Sequence, residues 1–211
     1  MSRLLLALVA SMAAISAGAA TPEQTRLLVG IMVDGLDADQ LDLLRERFGQ
    51  GGFKLLEQQG VTLTADYGTS LDATAATATI FTGAAPSTSG IGGDTHFDRR
   101  TLRKSPVYAD HDVLGNFSPS GFSPKALRVS NLSDEARIAS GGTNNVYAVA
   151  AQPGTAISMA GHNATSALWL DHKTGNWASS TAYPDMPVAI AARNRTLPLS
   201  VRLDTMSWTP S

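Results

Sequence analysis

Four stretches of the chain carry side chains able to do chemistry. The first is Asp34, which closes the apolar run of residues 27–33 and precedes Gly35. A carboxylate at the carboxyl end of a strand in an open α/β sheet stands where such sheets bind ligands. It can reach a divalent cation there, and Gly35 lets the backbone turn closely beneath the site. The same Asp serves equally well as a cap for the helix that follows. The second stretch, residues 69–83, is rich in Thr and Ala and includes Thr74. A hydroxyl at the start of a helix can act as a nucleophile, because the helix N-terminus stabilises negative charge and a metal lowers the hydroxyl pKa. The alternative is a helix packed on a sheet with its hydroxyls bonded back to carbonyls, and spacing alone favours it. In the third, Asp94, His96 and Asp98 alternate. On a strand they would share one face and could bind a metal; in a solvated loop they would form Asx-turns. The fourth is His162 after Gly161, and a lone His is more often structural than catalytic.

These residues need elements to position them. Residues 27–33 form a short continuous apolar run, the pattern of a strand buried on both faces of a parallel sheet. Residues 37–48 read as a helix with Leu41, Leu44 and Phe48 on one face, followed by a second short helix over 53–59 stopped by Gly60. Residues 61–67 alternate as a strand does, and 75–82 suit a tightly packed helix closing on Gly83. Residues 84–121, rich in Gly, Pro, Ser and Asp, read as loop with short strands. A helix over 132–140 has Asn131 or Ser133 as its cap, and 146–150 reads as a buried strand. Residues 167–180 read as a β-hairpin turning at 172–175, and 186–193 as a helix. Strands alternating with helices imply an α/β fold, doubly wound around a mainly parallel sheet. Only about three strong strands are legible, fewer than the usual sheet holds, and residues 196–211 show no closing element. The domain is therefore expected to be incomplete at its C-terminus.

The chain's 211 residues are 43% hydrophobic and 16% charged, a globular composition that excludes disorder as a whole-chain description. A formal net charge of -2 gives no whole-chain case for nucleic acid or an anionic membrane surface. Arg3, the apolar run of residues 4–15 and the small residues 16–20 have the order of a secretory signal peptide. The run is too short to span a bilayer, which needs roughly 20 apolar residues. Residues 1–20 are thus read as a signal and 21–211 as the mature part, exported to the periplasm or secreted, with no membrane attachment once the signal is removed. The chain has no cysteine, so stability has to come from core burial or metal.

Taken in order, residues 29–35, 51–61, 78–94 and 160–176 resemble the alkaline phosphatase superfamily, in particular its bacterial periplasmic phosphatase and type I phosphodiesterase/nucleotide pyrophosphatase branch. The resemblance implies a doubly wound α/β sheet holding two metals, commonly zinc, and hydrolysis of small phosphate esters through a covalent Thr or Ser intermediate. It makes Asp34 the first-strand metal ligand. It places the nucleophile position on Ala73, with Thr74 one residue away, and a phosphate-contacting Asn on Asp94, where a carboxylate would repel a phosphoester. The Lys and Arg of the family's phosphate clamp fall on Gln152 and Gly154. The family's later Asp-x-x-x-His motif has no counterpart in this chain, and neither Asp110-His111 nor Asp171-His172 stands where its Asp-His pair does. The resemblance therefore implies a phosphate-ester hydrolase of which this stretch is inactive alone, or a non-catalytic exported relative that binds a ligand or partner.

Overall fold

The computed structural model of the chain describes residues 26–67, 71–184, 186–199, 201, 206, 207 and 209; the signal sequence expected over 1–20 lies outside them. The chain divides into two units, Met1–Leu36 and Asp37–Ser211.

In the first unit, residues 26–33 form no strand. Leu27, Val29 and Ile31 are 78%, 64% and 77% exposed, so the buried strand expected there is not formed. An apolar run becomes a strand only where neighbours take up its N–H and C=O groups and cover both faces, and this run pairs with no strand among the described residues. Asp34 and Gly35 form an exposed turn, with Gly35 at φ 73.

The second unit opens with α1 (Ala38–Leu44), a 3-10 turn (Arg45–Arg47) and α2 (Phe53–Gln59). Asp37 caps α1 by accepting from the Asp39 N–H at 3.1 Å. Arg45 ties the two helices together through Asp42 and Glu57 at 2.6 and 2.5 Å, and Phe48 meets Phe53 with ring centroids 5.3 Å apart. Neither helix buries a residue. Residues 61–67 form no strand, and Val61 and Leu63 are both 85% exposed. The strand expected there is absent, because alternation supplies a face but no partner.

The core lies further along the chain. α3 (Ala73–Thr82) and α4 (Pro86–Ser89) lead into a hairpin, β1 (Thr95–Asp98) with β2 (Arg103–Pro106), then β3 (Gly115–Asn116), a 3-10 turn at Pro124–Ala126 and α5 (Leu132–Ala139). β4 (Tyr147–Val149), α6 (Pro153–Ala160), β5 (Ser166–Asp171), β6 (Asn176–Ser180) and α7 (Val188–Thr196) complete the order. The main sheet runs β3-β6-β5-β4. It is mixed: β4 pairs parallel with β5, and β5–β6 and β3–β6 are antiparallel. β4 and β5 are joined through α6, the crossover a parallel pair requires.

Ala167, Trp169 and Ala178 belong to the core cluster with Ala78, Ala156, Ile157 and Ala160. Ala75, Ala78, Ala156 and Ala160 are fully buried, and side chains this small let α3 and α6 lie close together. Ser166, Leu168 and Ser179, on the opposite sheet face by the strand period, are buried as well. Asn194 on α7 donates to the Trp177 carbonyl at 2.7 Å and accepts from the Trp177 N–H at 3.0 Å. A side chain thus supplies the bonds a further strand would give β6 there. One face lies under α3 and α6. The other is buried along β5 and β6 but open at the edge strand β4, where Tyr147 and Val149 are 56% and 51% exposed. The buried strand expected over 146–150 is thus a half-exposed edge in a layered α/β arrangement.

Candidate functional site

The first turn of α3 holds Ala73, where the resemblance puts the nucleophile position, and the candidate hydroxyl Thr74. Asp72 caps this helix in extended conformation. Its Oδ1 accepts from the Ala75 N–H at 3.0 Å and its Oδ2 from the Asp94 N–H at 2.6 Å. Asp94 answers by accepting from the Thr74 N–H through Oδ1 at 3.3 Å. Two carboxylates therefore take up the amides of Thr74 and Ala75, two of the first-turn groups that would otherwise receive an anionic ligand. Gly93 leaves room for this arrangement, since a Cβ there would sit 2.9 Å from Asp72 Oδ2.

Ala73 is the first residue of the helix and carries no hydroxyl. Thr74, one residue on, is 3% exposed. It faces inward against α6, where a Cβ on Gly154 would collide with Thr74 Oγ1. Ser158 Oγ donates to the Thr74 carbonyl at 3.4 Å and exchanges a 3.0 Å bond with Tyr108 Oη. Burial pushes the Tyr108 phenol up to about 12, against the opposing pull of the Ser158 bond. Further along α3, Thr77 and Thr82 donate to the carbonyls four residues back at 2.7 and 2.6 Å, the back-bonded pattern of structural hydroxyls. Gln152 caps α6 without a side-chain bond, and Gly154 lies in its first turn. The structure thus brings together Thr74, Asp94 and Gly154 around one helix end and adds Asp72. The sequence singled out no role for Asp72, although an Asp before a Thr/Ala-rich helix is the standard cap signal.

Asp34 is an exposed turn carboxylate of the first unit. Among the described residues no group of three or more His, Cys, Asp or Glu side chains could hold a metal ion. The donors present therefore do not make up a two-metal centre. His96 and Asp98 lie on β1, but each is used locally. His96 Nε2 meets Ser105 Oγ at 3.3 Å. Asp98 accepts from the Arg100 N–H and Thr101 Oγ1 at 2.8 and 2.9 Å, which holds its carboxyl below the usual range. Asp110 accepts from Ser123 Oγ and the Asp112 N–H. Asp171 binds Ser118 Oγ and the amides of Lys173 and Thr174, closing the β5–β6 turn.

His162 is exposed, and both its ring nitrogens are engaged by the protein. Its Nδ1 lies 3.0 Å from Asp134 Oδ2 and its Nε2 3.0 Å from the Leu127 carbonyl. Asp134, 2% exposed, also accepts from the backbone amides of Asn131, His162 and Asn163. Burial raises the Asp134 pKa, but these bonds outweigh it and hold the carboxyl below its usual range. Asn131, not Ser133, caps α5 and forms a capping box with Asp134.

This arrangement of sheet, helices and closed helix end can be set beside known proteins. The chain matches the type I phosphodiesterase/nucleotide pyrophosphatase family profile over residues 28–209. It belongs to that family. Members of this family fall within the alkaline phosphatase superfamily and are metal-dependent. Among its relatives, a Myroides odoratus protein named calcium-transporting ATPase is 32% identical over 82% of this chain and 33% of its own length. The alkaline phosphatase PhoV of Synechococcus elongatus is 34% identical over 77% of this chain and 30% of its own length. The crystal structure of wild-type alkaline phosphatase PafA superimposes with a TM-score of 0.68 and 27% identity, covering 81% of this chain and 34% of that one. The chain spans about a third of the length of the curated relatives it matches. No helix among the described residues is long and apolar enough to cross a membrane.

Proposed function

We propose that this chain supplies the sheet-and-helix platform of a phosphate-ester hydrolase but carries out no covalent phosphoryl transfer by itself. One observation carries the reading: the first residue of α3 is Ala73, and the amides beside it are already bonded to Asp72 and Asp94. A methyl group cannot form a phosphoenzyme. A phosphate approaching the same helix end would meet two carboxylates, and like charges at that range disfavour each other. Asp94 in this reading excludes the phosphate rather than binding it. Thr74 does not substitute as nucleophile, because its hydroxyl lies in the α3–α6 packing.

The metal role of Asp34 fits the same proposal. It is the one family ligand position this chain retains, for a divalent ion such as zinc, and its partner ligands would have to come from elsewhere. The proposal includes export: residues 1–20 direct the chain out of the cytoplasm, to the periplasm or beyond. A ligand- or partner-binding role outside the cytoplasm is the companion reading, favoured by the simultaneous alteration of positions 73, 94, 152 and 154.

The test is hydrolysis of a phosphomonoester and a phosphodiester by the full chain supplied with zinc, with Thr74→Ala and Asp34→Ala alongside. The expected result is no turnover above zinc in buffer. Turnover that disappears in Thr74→Ala would overturn the assignment of that residue to packing. Turnover lost in Asp34→Ala would show that the chain assembles a working metal site.

A further inference from the structure

The hairpin β1–β2 carries the densest run of positive charge in the chain. Arg99, Arg100, Arg103 and Lys104 fall within six residues, and Asp98 is the single acid between residues 95 and 106. This local excess is invisible to the net charge of -2. All four basic side chains are exposed, and among the described residues none of them forms an ion pair. Asp98 does not neutralise them through a bridge, because it is engaged by the Arg100 N–H and Thr101 Oγ1.

Apolar side chains stand among these charges. Phe97 is 58% exposed and pairs across the hairpin with Lys104, so the ring and the ammonium stem share one face. Leu102 is 73% exposed at the turn and holds a left-handed backbone, φ 55. A left-handed Leu is uncommon and costs free energy that its own packing does not return. The hairpin is rooted by the Val107 N–H donating to the Asp94 carbonyl at 2.9 Å, so the turn lies at the far end from the core.

From this juxtaposition we propose that the β1–β2 hairpin is a peripheral contact for an anionic phospholipid surface. The basic cluster matches the charge of such a surface, and Phe97 and Leu102 supply the apolar contact with the acyl boundary that a soluble polyanion would not use. Each basic side chain held near an anionic bilayer strengthens the attraction by about fivefold, within a Debye length of about 8 Å in physiological salt. The contact is surface adsorption, and no segment of the hairpin enters as a span.

The test is co-sedimentation of the full chain with vesicles rich in phosphatidylglycerol and with pure phosphatidylcholine vesicles, at low and high salt. The wild-type chain is expected to bind the first and not the second. Arg103→Ser/Lys104→Ser should lower the partition coefficient by about tenfold or more, and Phe97→Ser/Leu102→Asn should remove the binding that survives high salt. Arg99→Ser/Arg100→Ser provides a second charge variant should the first fail to fold, and matched unfolding midpoints verify that the rest do. Equal binding to both vesicle types, no binding, or undiminished binding by the charge variants would overturn the proposal. Binding to DNA oligonucleotides but not vesicles, or an apolar variant indistinguishable from wild type, would move the surface to soluble polyanions and equally overturn the lipid assignment.

Discussion

At residue scale, Asp134 gathers more bonds than any other carboxylate described. It serves the α5 cap, the His162 ring and two amides beyond Gly161. Its folded pKa lies below the unfolded value of about 3.9. A carboxyl shifted in that direction contributes stability above the unfolded pKa, and loses it as pH falls through the folded one. The urea midpoint should therefore fall as the pH drops below the unfolded pKa, and Asp134→Asn should flatten that part of the profile. Asp134→Ala should cost about 3 kcal/mol at neutral pH, since it strands several buried donors. Gly161 is fixed by the same cluster: its φ is 71, and a Cβ there would run into Asn131 Oδ1 and Asp134. Gly161→Ala should lower stability by about 2 kcal/mol in urea unfolding.

At the scale of elements, the close approach of α3 to α6 explains why Thr74 and Gly154 constrain each other. Gly154→Ala should destabilise the chain by about 1–3 kcal/mol through overpacking against the Thr74 side chain. Combining it with Thr74→Ala should recover most of that loss, giving a coupling energy of the opposite sign in a double-mutant cycle of unfolding midpoints. Additive losses would show that the two side chains do not compete for the space.

Legibility in the sequence also divides at this scale. The helix read over residues 75–82, which begins two residues earlier, the capped helix after Asn131 and the β5–β6 hairpin are legible because their signals are local: closing glycines, a cap and turn residues within a few positions. The runs 27–33 and 61–67 misled because hydrophobic pattern reports what a strand would bury, while pairing depends on a partner distant in sequence. The same reason hid part of the site. Ala73 and Asp94 were marked by resemblance, but the Asp72–Asp94 bonds and the Thr74–Gly154 contact join residues 20 or more positions apart. The bond from His162 to Asp134 was hidden too, because Asp134 reads in the sequence only as part of an ordinary capping pattern.

At the scale of the whole molecule, the proposal is of a platform without the covalent chemistry. The sheet face under α3 and α6 has a packed core, while the described part of the chain provides neither a hydroxyl at position 73 nor a cluster able to hold a metal. Substituting Asp94→Asn removes one charge from the α3 end without altering its size. It should raise the affinity for inorganic phosphate measured by calorimetry, about tenfold or more for one like charge removed at hydrogen-bonding range. Phosphate bound equally well by wild type and Asp94→Asn would show that the helix end is not closed by its own carboxylates.

The proposed function requires that no phosphoenzyme forms. The direct measurement is intact-mass spectrometry of the full chain, acid-quenched after incubation with zinc and a phosphomonoester. A single unmodified mass is expected at every time point. A phosphorylated species, with the phosphate mapped to Thr74 or to any other hydroxyl of the α3 first turn, would contradict it.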